Sequence, residues 1–137
     1  MIYVLDASVV LKWFLIEEGT QEALELKRKY EFGEISIAAP DLLIYEVINV
    51  LRYKKYFSEI ILKKSLNSLL VLNLDLFSPS EHIIEEAVHL SCQTNLSIYD
   101  CSYLALAHKL NTLLITTDRT IFNSAKHLHF PVKLLID

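Results

Sequence analysis

The feature that most constrains the fold is an apolar stretch near the start of the chain that ends directly in a carboxylate. Residues 2–5 are Ile-Tyr-Val-Leu, and Asp6 and Ser8 follow them closely. An uninterrupted apolar run of this length predicts a strand buried on both faces, as in the centre of a parallel sheet. Because open α/β sheets bind ligands at the carboxyl ends of their strands, Asp6 is expected to lie at a functional site.

Strand and helix patterns alternate along the whole sequence. Helical patterns separate the expected strands, which are residues 2–5, 35–39, 74–77, 112–117 and 132–136. This alternation predicts a mainly parallel sheet of about five strands covered by helices. The 137 residues include only 2 Gly and 3 Pro and no stretch with the composition of a linker, so residues 1–137 are expected to form a single domain.

Composition limits the classes of function. The net charge of −4 argues against a broadly cationic nucleic-acid-binding surface, but it is compatible with a nucleic-acid enzyme whose acids bind a metal. The apolar runs are too short to span a bilayer, so no membrane association is expected. Cys92 and Cys101 have no CxxC spacing, which favours a reducing, cytoplasmic location.

A second acid repeats the Asp6 pattern. The apolar run from Leu113 to Ile115 continues into Thr116, Thr117 and Asp118. If the two strands are neighbours in a parallel sheet, Asp6 and Asp118 lie on the same edge. The alternative is that Asp118 simply caps the following helix, and this is equally consistent with the sequence.

Two further acids fall on predicted helices. Glu46 lies in a helix from Asp41 to about Lys55 that is apolar almost all round, and shares a narrow polar stripe with Asn49 and Tyr53. Such a helix is expected to be mostly buried, with the stripe facing either a water-filled cleft or solvent. Asp100 follows Ser97 by three residues, the spacing of a capping box, and this capping role is enough to explain an acid at position 100. The same residue can both cap a helix and bind a metal.

The four acids are more informative as a set than singly. Two carboxylates about 4 Å apart repel by roughly 4 kcal/mol at an effective dielectric constant near 20, so a cluster needs a compensating cation. Hard oxygen donors without paired His or Cys favour Mg²⁺ or Mn²⁺, which can activate water and neutralise a phosphodiester.

The order of these motifs resembles the PIN-domain family, and more narrowly its VapC-type toxin ribonucleases. The resemblance covers essentially the whole chain, and rests on Leu5-Asp6-Ala7-Ser8, Tyr45-Glu46-Val47-Ile48-Asn49, residues 99–107 and Thr116-Thr117-Asp118-Arg119. It implies a three-layer α/β/α fold with a central, mainly parallel sheet and a metal-dependent endoribonuclease that leaves a 5′-phosphate and a 3′-hydroxyl. It also implies an RNA substrate, a small antitoxin partner and a homodimer, although the family includes RNA-processing nucleases that are not toxins.

The resemblance also implies residue roles. Asp6, Glu46, Asp100 and Asp118 match the family's acidic positions and are expected to be both catalytic and metal-binding, with Asp6 and Asp100 holding the first Mg²⁺ or Mn²⁺. Ser8 and Thr116 match its accompanying hydroxyls. Together with Asn49, they are expected to orient carboxylates or waters.

A short basic and aromatic run supplies candidates for RNA contact. Arg52, Lys54 and Lys55 alternate with Tyr53 and Tyr56 directly beyond the Glu46 helix. Cations interleaved with stacking surfaces suit single-stranded RNA. A solvated helix end, with its cations favoured by the helix dipole, explains the run as well.

Other classes of function fit less of the pattern. A phosphatase with a strand-end Asp nucleophile generally has a second acid two residues later, where this chain has Ser8. A phosphoacceptor domain needs a Lys on a late strand, which Thr116-Thr117-Asp118 does not provide. A non-cleaving, metal-stabilised module that binds RNA or protein remains open.

Overall fold

The fold is a five-stranded parallel sheet covered by helices. The computed structural model describes residues 1–136. In this part of the chain the strands are β1 (Ile2–Leu5), β2 (Ser36–Pro40), β3 (Asp75–Phe77), β4 (Leu114–Thr116) and β5 (Val132–Leu134). They are ordered β3-β2-β1-β4-β5, and every neighbouring pair is parallel. The predicted three-layer α/β/α architecture with about five strands is confirmed.

Helices connect the strands and form the outer layers. Their bounds are α1 (Ala7–Val10), α2 (Thr20–Glu31), α3 (Leu42–Arg52), α4 (Glu59–Val71), α5 (Glu81–Thr94), α6 (Ile98–Lys109) and α7 (Arg119–His127), and one turn of 3₁₀ helix, Leu11–Trp13, extends α1. Parallel neighbours require such crossover connections, because a tight hairpin can join only antiparallel strands. No helix within residues 1–136 is both long enough and apolar enough to cross a membrane.

The strand order places a crevice between β1 and β4. The chain adds β2 and β3 on one side of β1, then β4 and β5 on the other, so the direction of winding reverses between β1 and β4. Open α/β sheets bind ligands at this switch point. Leu5 pairs with Ile115, so the next residues along the two strands, Asp6 and Thr116, are brought together at the carboxyl edge.

Helix α6 lies at the centre of the core. It contacts β1, β2 and β4 and is covered by α5. All residues from Cys101 to Ala107 are buried, so every side of this stretch is packed. This packing fixes the N-terminal turn of α6, which carries Asp100, relative to the sheet edge.

Helix α3 is less buried than its composition indicates. Leu43, Val47 and Leu51 are buried at successive turns, but Tyr45 is 82% exposed and Asn49 is also exposed. The helix therefore buries one face, against β2, α1 and α4, and is not surrounded. It also ends at Arg52 and does not reach Lys55, because the chain turns there into α4 with a left-handed φ of 69° at Tyr56.

Candidate active site

Asp6 is a buried carboxylate held by two hydroxyl groups. Ser8 Oγ donates to its Oδ1 and Thr116 Oγ to its Oδ2, both at 2.5 Å. Asp6 is only 5% exposed, and burial raises its pKa to about 6 although the two hydroxyl bonds act in the opposite direction. The negative charge of Asp100 adds to the increase. Ser8 and Thr116 thus contact Asp6 directly, while their role in orienting a metal ligand stays a prediction.

Glu46 is joined to α6 by a tyrosine that the sequence analysis did not single out. Tyr103 Oη donates to Glu46 Oε1 at 2.5 Å, across 57 residues of sequence. Burial raises the pKa of Glu46, the Tyr103 bond lowers it, and the charge of Asp100 raises it. A signal for Tyr103 was present, since a tyrosine within a run of small and apolar residues needs a hydrogen-bond partner when buried.

Asp100 is the acid that connects the others. It lies in the first turn of α6, where its backbone N–H donates to Ser97 Oγ at 3.0 Å, so Ser97 caps the helix as predicted. Within residues 1–136, the reciprocal bond of a capping box, from the Ser97 N–H to the Asp100 carboxylate, is not formed. Burial and the negative charge of Asp118 raise its pKa. In turn, its own charge raises the pKa of both Asp6 and Glu46, so the four acids form one electrostatic cluster centred on Asp100.

Asp118 also caps a helix. Its Oδ1 accepts hydrogen bonds from the backbone N–H groups of Thr120 at 2.8 Å and Ile121 at 3.1 Å, at the start of α7. Its own N–H donates to Thr116 Oγ, which links it to the group holding Asp6. The capping interpretation of Asp118 is therefore correct, and the same residue faces Asp100 closely enough to affect its pKa.

The remaining candidates lie away from this cluster. Asn49 is exposed, and in residues 1–136 its side chain makes no hydrogen bond to any of the four acids. The predicted polar stripe on α3 is thus divided, with Glu46 turned toward Tyr103 and Asn49 and Tyr53 toward solvent. Arg52, Lys54 and Lys55 are exposed and line a separate cavity of about 750 Å³ between α3 and α4, together with Tyr53, Tyr56, Phe57, Ser58 and Ile61.

The donor set fits a hard divalent cation. None of the four carboxylates takes part in the ion pairs found within residues 1–136. Burial and neighbouring carboxylates raise the pKa values of Asp6, Glu46 and Asp100, and a bound cation would stabilise their charged forms. Oxygen donors alone favour Mg²⁺ or Mn²⁺ over softer metals.

The side chains are not preassembled as a complete coordination shell. In the part of the chain that is described, no three His, Cys, Asp or Glu side chains are grouped so that they could hold one ion together. Both oxygens of Asp6, one oxygen of Glu46 and one oxygen of Asp118 already accept hydrogen bonds from protein groups.

Comparison with known proteins agrees with the fold. The PIN domain family model matches residues 3–128. A sequence search of curated proteins gives no match. Among solved structures, PAE2754 from Pyrobaculum aerophilum is 18% identical, with a TM-score of 0.69 over 98% of this chain and 90% of that one.

Two other similar structures are VapBC proteins. VapBC2 from Rickettsia felis, bound to a DNA fragment from its promoter, is 14% identical with a TM-score of 0.69, covering 98% of each chain. VapBC-1 from nontypeable Haemophilus influenzae is 14% identical with a TM-score of 0.65, covering 100% of each chain. At these identities, the similarity demonstrates the shared fold.

Proposed function

Because this chain belongs to the PIN-domain family, whose members are generally nucleases, we propose that it is a Mg²⁺- or Mn²⁺-dependent endoribonuclease and the toxin of a toxin–antitoxin pair. The observation that carries the proposal is the cluster of Asp6, Glu46, Asp100 and Asp118 at the switch point, centred on Asp100 and lacking a cationic side-chain partner. Similarity to VapBC2 and VapBC-1 supports the toxin assignment.

The residues have distinct tasks in the proposed reaction. Asp6 and Asp100 hold the ion, and Glu46 and Asp118 complete the pocket. A divalent ion at this site supplies activation of water and neutralisation of phosphodiester charge. Ser8 and Thr116 fix both oxygens of the Asp6 carboxylate, and Tyr103 fixes one oxygen of Glu46. Hydrogen bonds of this kind orient carboxylates that bind a metal.

RNA contact is assigned to the basic and aromatic segment after α3. Arg52 lies over the Tyr53 ring, with Cζ 5.1 Å from the ring centroid, and Lys54 and Lys55 are exposed beside it. Unpaired RNA bases stack on aromatic rings and guanidinium groups, and lysines bind the phosphates of the RNA backbone. Because α3 ends at Arg52, these lysines lie in the turn that follows the helix.

A protein partner is supported by exposed aromatic and aliphatic side chains. Four large side chains on and between α3 and α4 are mostly exposed: Tyr45 (82%), Tyr53 (77%), Tyr56 (85%) and Ile60 (68%). We assign a small antitoxin protein and a second copy of this chain as the partners. The cytoplasm is the proposed location, since the two cysteines, one exposed and one buried, are not paired with each other.

The proposal is tested with labelled structured RNA and purified protein. We expect endonucleolytic cleavage with Mg²⁺ or Mn²⁺, none with EDTA, and none by Asp100→Asn. Asp75→Asn is the matched control, because Asp75 is an exposed acid on the edge strand β3. Metal-independent cleavage, or full activity of Asp100→Asn, would refute the mechanism; specific RNA binding without cleavage would favour the non-cleaving module.

The toxin role has its own test. Induced expression in a bacterial host is expected to stop growth, and Asp100→Asn is expected not to. Cleavage in vitro without any growth effect would instead indicate an RNA-processing nuclease that is not a toxin.

A further inference from the structure

A second polar cavity lies next to the acid cluster. It has a volume of about 230 Å³ and is lined by Lys12, Glu18, Thr117, Arg119, Leu134 and Ile136. Thr117 and Arg119 flank Asp118 in the sequence, and Leu134 ends β5. The cavity is therefore at the same edge of the sheet as the proposed catalytic site.

Hydrogen bonds connect the wall of this cavity to Asp6. The Thr117 N–H donates to Ser8 Oγ at 3.0 Å, and Ser8 Oγ donates to Asp6 Oδ1 at 2.5 Å. Lys12 follows Ser8 by four residues on the continuous helical segment formed by α1 and its 3₁₀ turn, so both project from similar sides of that segment. A group bound in the cavity thus lies one or two side chains from the proposed metal site.

Lys12 is an unusual cation because it is buried. It is 8% exposed, and its Nζ lies 3.0 Å from Glu17 Oε1. Its stem packs against Gly19, where an added Cβ would lie 3.2 Å from Lys12 Cδ and Cε and where φ is +89°. Glycine at this position accommodates both the turn and the lysine stem, which holds the ammonium group in place.

Arg119 supplies the second cation. It is exposed, and it forms none of the ion pairs found within residues 1–136. A guanidinium group binds phosphate oxygens through two parallel N–H donors. Glu17 and Glu18 offset the two cations, so the cavity offers donors for one phosphate and not a broadly positive surface.

We propose that Lys12, Thr117 and Arg119 bind a backbone phosphate of the RNA strand, adjacent to the phosphodiester that is cleaved. This inference rests on the proposed function and defines how that site receives its substrate. A strand that enters a cluster of four carboxylates on a chain with net charge −4 is repelled. The N–H donors of Lys12 and Arg119 and the Thr117 hydroxyl provide a specific contact for one phosphate beside the cluster, and this contact fixes the register of the strand.

The test measures binding of a short single-stranded RNA by fluorescence anisotropy over a range of salt concentrations. All proteins carry Asp6→Asn, so that the RNA is not cut. Arg119→Gln is the main variant, because Arg119 is exposed and its replacement leaves the fold intact. Lys109→Gln is the matched control; it removes one positive charge from the opposite end of α6 from Asp100.

We expect Arg119→Gln to weaken RNA binding about tenfold and to reduce the slope of log Kd against log salt by about 0.7. Lys12→Gln is expected to weaken RNA binding to a similar extent. Lys109→Gln is expected to change neither the affinity for RNA nor its salt dependence. Unchanged affinity and slope in Arg119→Gln, or equal losses in Lys109→Gln, would overturn the phosphate site.

Failure of this inference is distinguishable from failure of the proposed function. If the protein without substitutions cleaves RNA and Arg119→Gln binds it normally, only the phosphate site is wrong. If Arg119→Gln weakens binding but the unsubstituted protein never cleaves RNA with Mg²⁺ or Mn²⁺, the phosphate site is supported and the hydrolytic role is wrong.

Discussion

The hydroxyl of Tyr103 donates a 2.5 Å hydrogen bond to Oε1 of Glu46, and this contact ties the two helices of the candidate site together. Tyr103 is 2% exposed, and burial together with the neighbouring carboxylates raises its pKa above the ordinary value. It therefore remains protonated and acts as a permanent donor. Tyr103 therefore acts as a positioning residue for Glu46.

Replacing Tyr103 by Phe removes this donor while keeping the ring. We expect Mn²⁺ affinity, measured by isothermal titration calorimetry, to fall about tenfold or more, as for other residues that orient metal ligands. Because the tyrosine bond lowers the pKa of Glu46, the acid limb of the pH profile of cleavage should also move to higher pH. Tyr99→Phe, at a 65% exposed position on the same helix, is the control. Unchanged Mn²⁺ affinity in Tyr103→Phe would contradict the positioning role.

The stability of the metal-free protein is expected to decrease as the pH rises from about 4 to 7. The pKa of Asp6 is about 6 in the folded protein and has the ordinary value of 3.8 in the unfolded chain. Between these two pH values, the folded protein therefore binds more protons than the unfolded chain. Stability therefore falls as pH rises through this interval. At about 1.4 kcal/mol per pKa unit, Asp6 is expected to lower the free energy of unfolding by about 3 kcal/mol over this interval. Urea unfolding in the presence of EDTA measures this free energy at each pH. A rise in stability over the same interval would show that other groups dominate.

Asp6→Asn separates chemistry from helix capping. The amide oxygen can still accept the hydrogen bond from the Val9 N–H, so the cap at α1 is retained. We expect cleavage to be abolished, while the metal-free variant near pH 7 is as stable as the unsubstituted protein or more stable, since no charge is buried. RNA cleavage and urea unfolding of the same preparation provide the two readouts. If Asp6 were mainly a cap, the variant would cleave RNA normally.

Divalent metal is expected to stabilise the folded protein. A ligand that binds only the folded state raises Tm by mass action, so Mn²⁺ should raise Tm at about pH 7.5. The increase should be smaller at about pH 5, where Asp6, with its pKa of about 6, is largely protonated. Differential scanning fluorimetry of Asp100→Asn should show no increase, and Asp75→Asn should behave normally. An equal rise in Tm for Asp100→Asn would place the ion elsewhere.

Much of the site could be predicted from local sequence. Ser97 and Asp118 accept backbone hydrogen bonds at the helix starts expected from their residue types and spacing. Asp6 follows the first strand directly. Such features depend on residues within one helical turn or one strand, so a single sequence contains the information.

Other features could not be predicted because they depend on packing between distant segments. The predicted helix to about Lys55 was too long, since the turn into α4 ends α3 at Arg52. The role of Asn49 remains a prediction that no contact with the acids supports. Tyr103 and Lys12 were missed, because an apolar or helical pattern does not reveal which polar atom a buried side chain will meet.

By itself, the sequence determined the alternation of strands and helices, the helix caps at Ser97 and Asp118 and the presence of the four acids, because hydrophobic periodicity and capping act over a few residues. Only the tertiary structure decided that β1 lies beside β4, that Tyr103 meets Glu46, and that Lys12 and Arg119 share a cavity beside Asp118. These relationships join segments up to about a hundred residues apart. They arise from burying the sheet and α6 together, which no local pattern specifies.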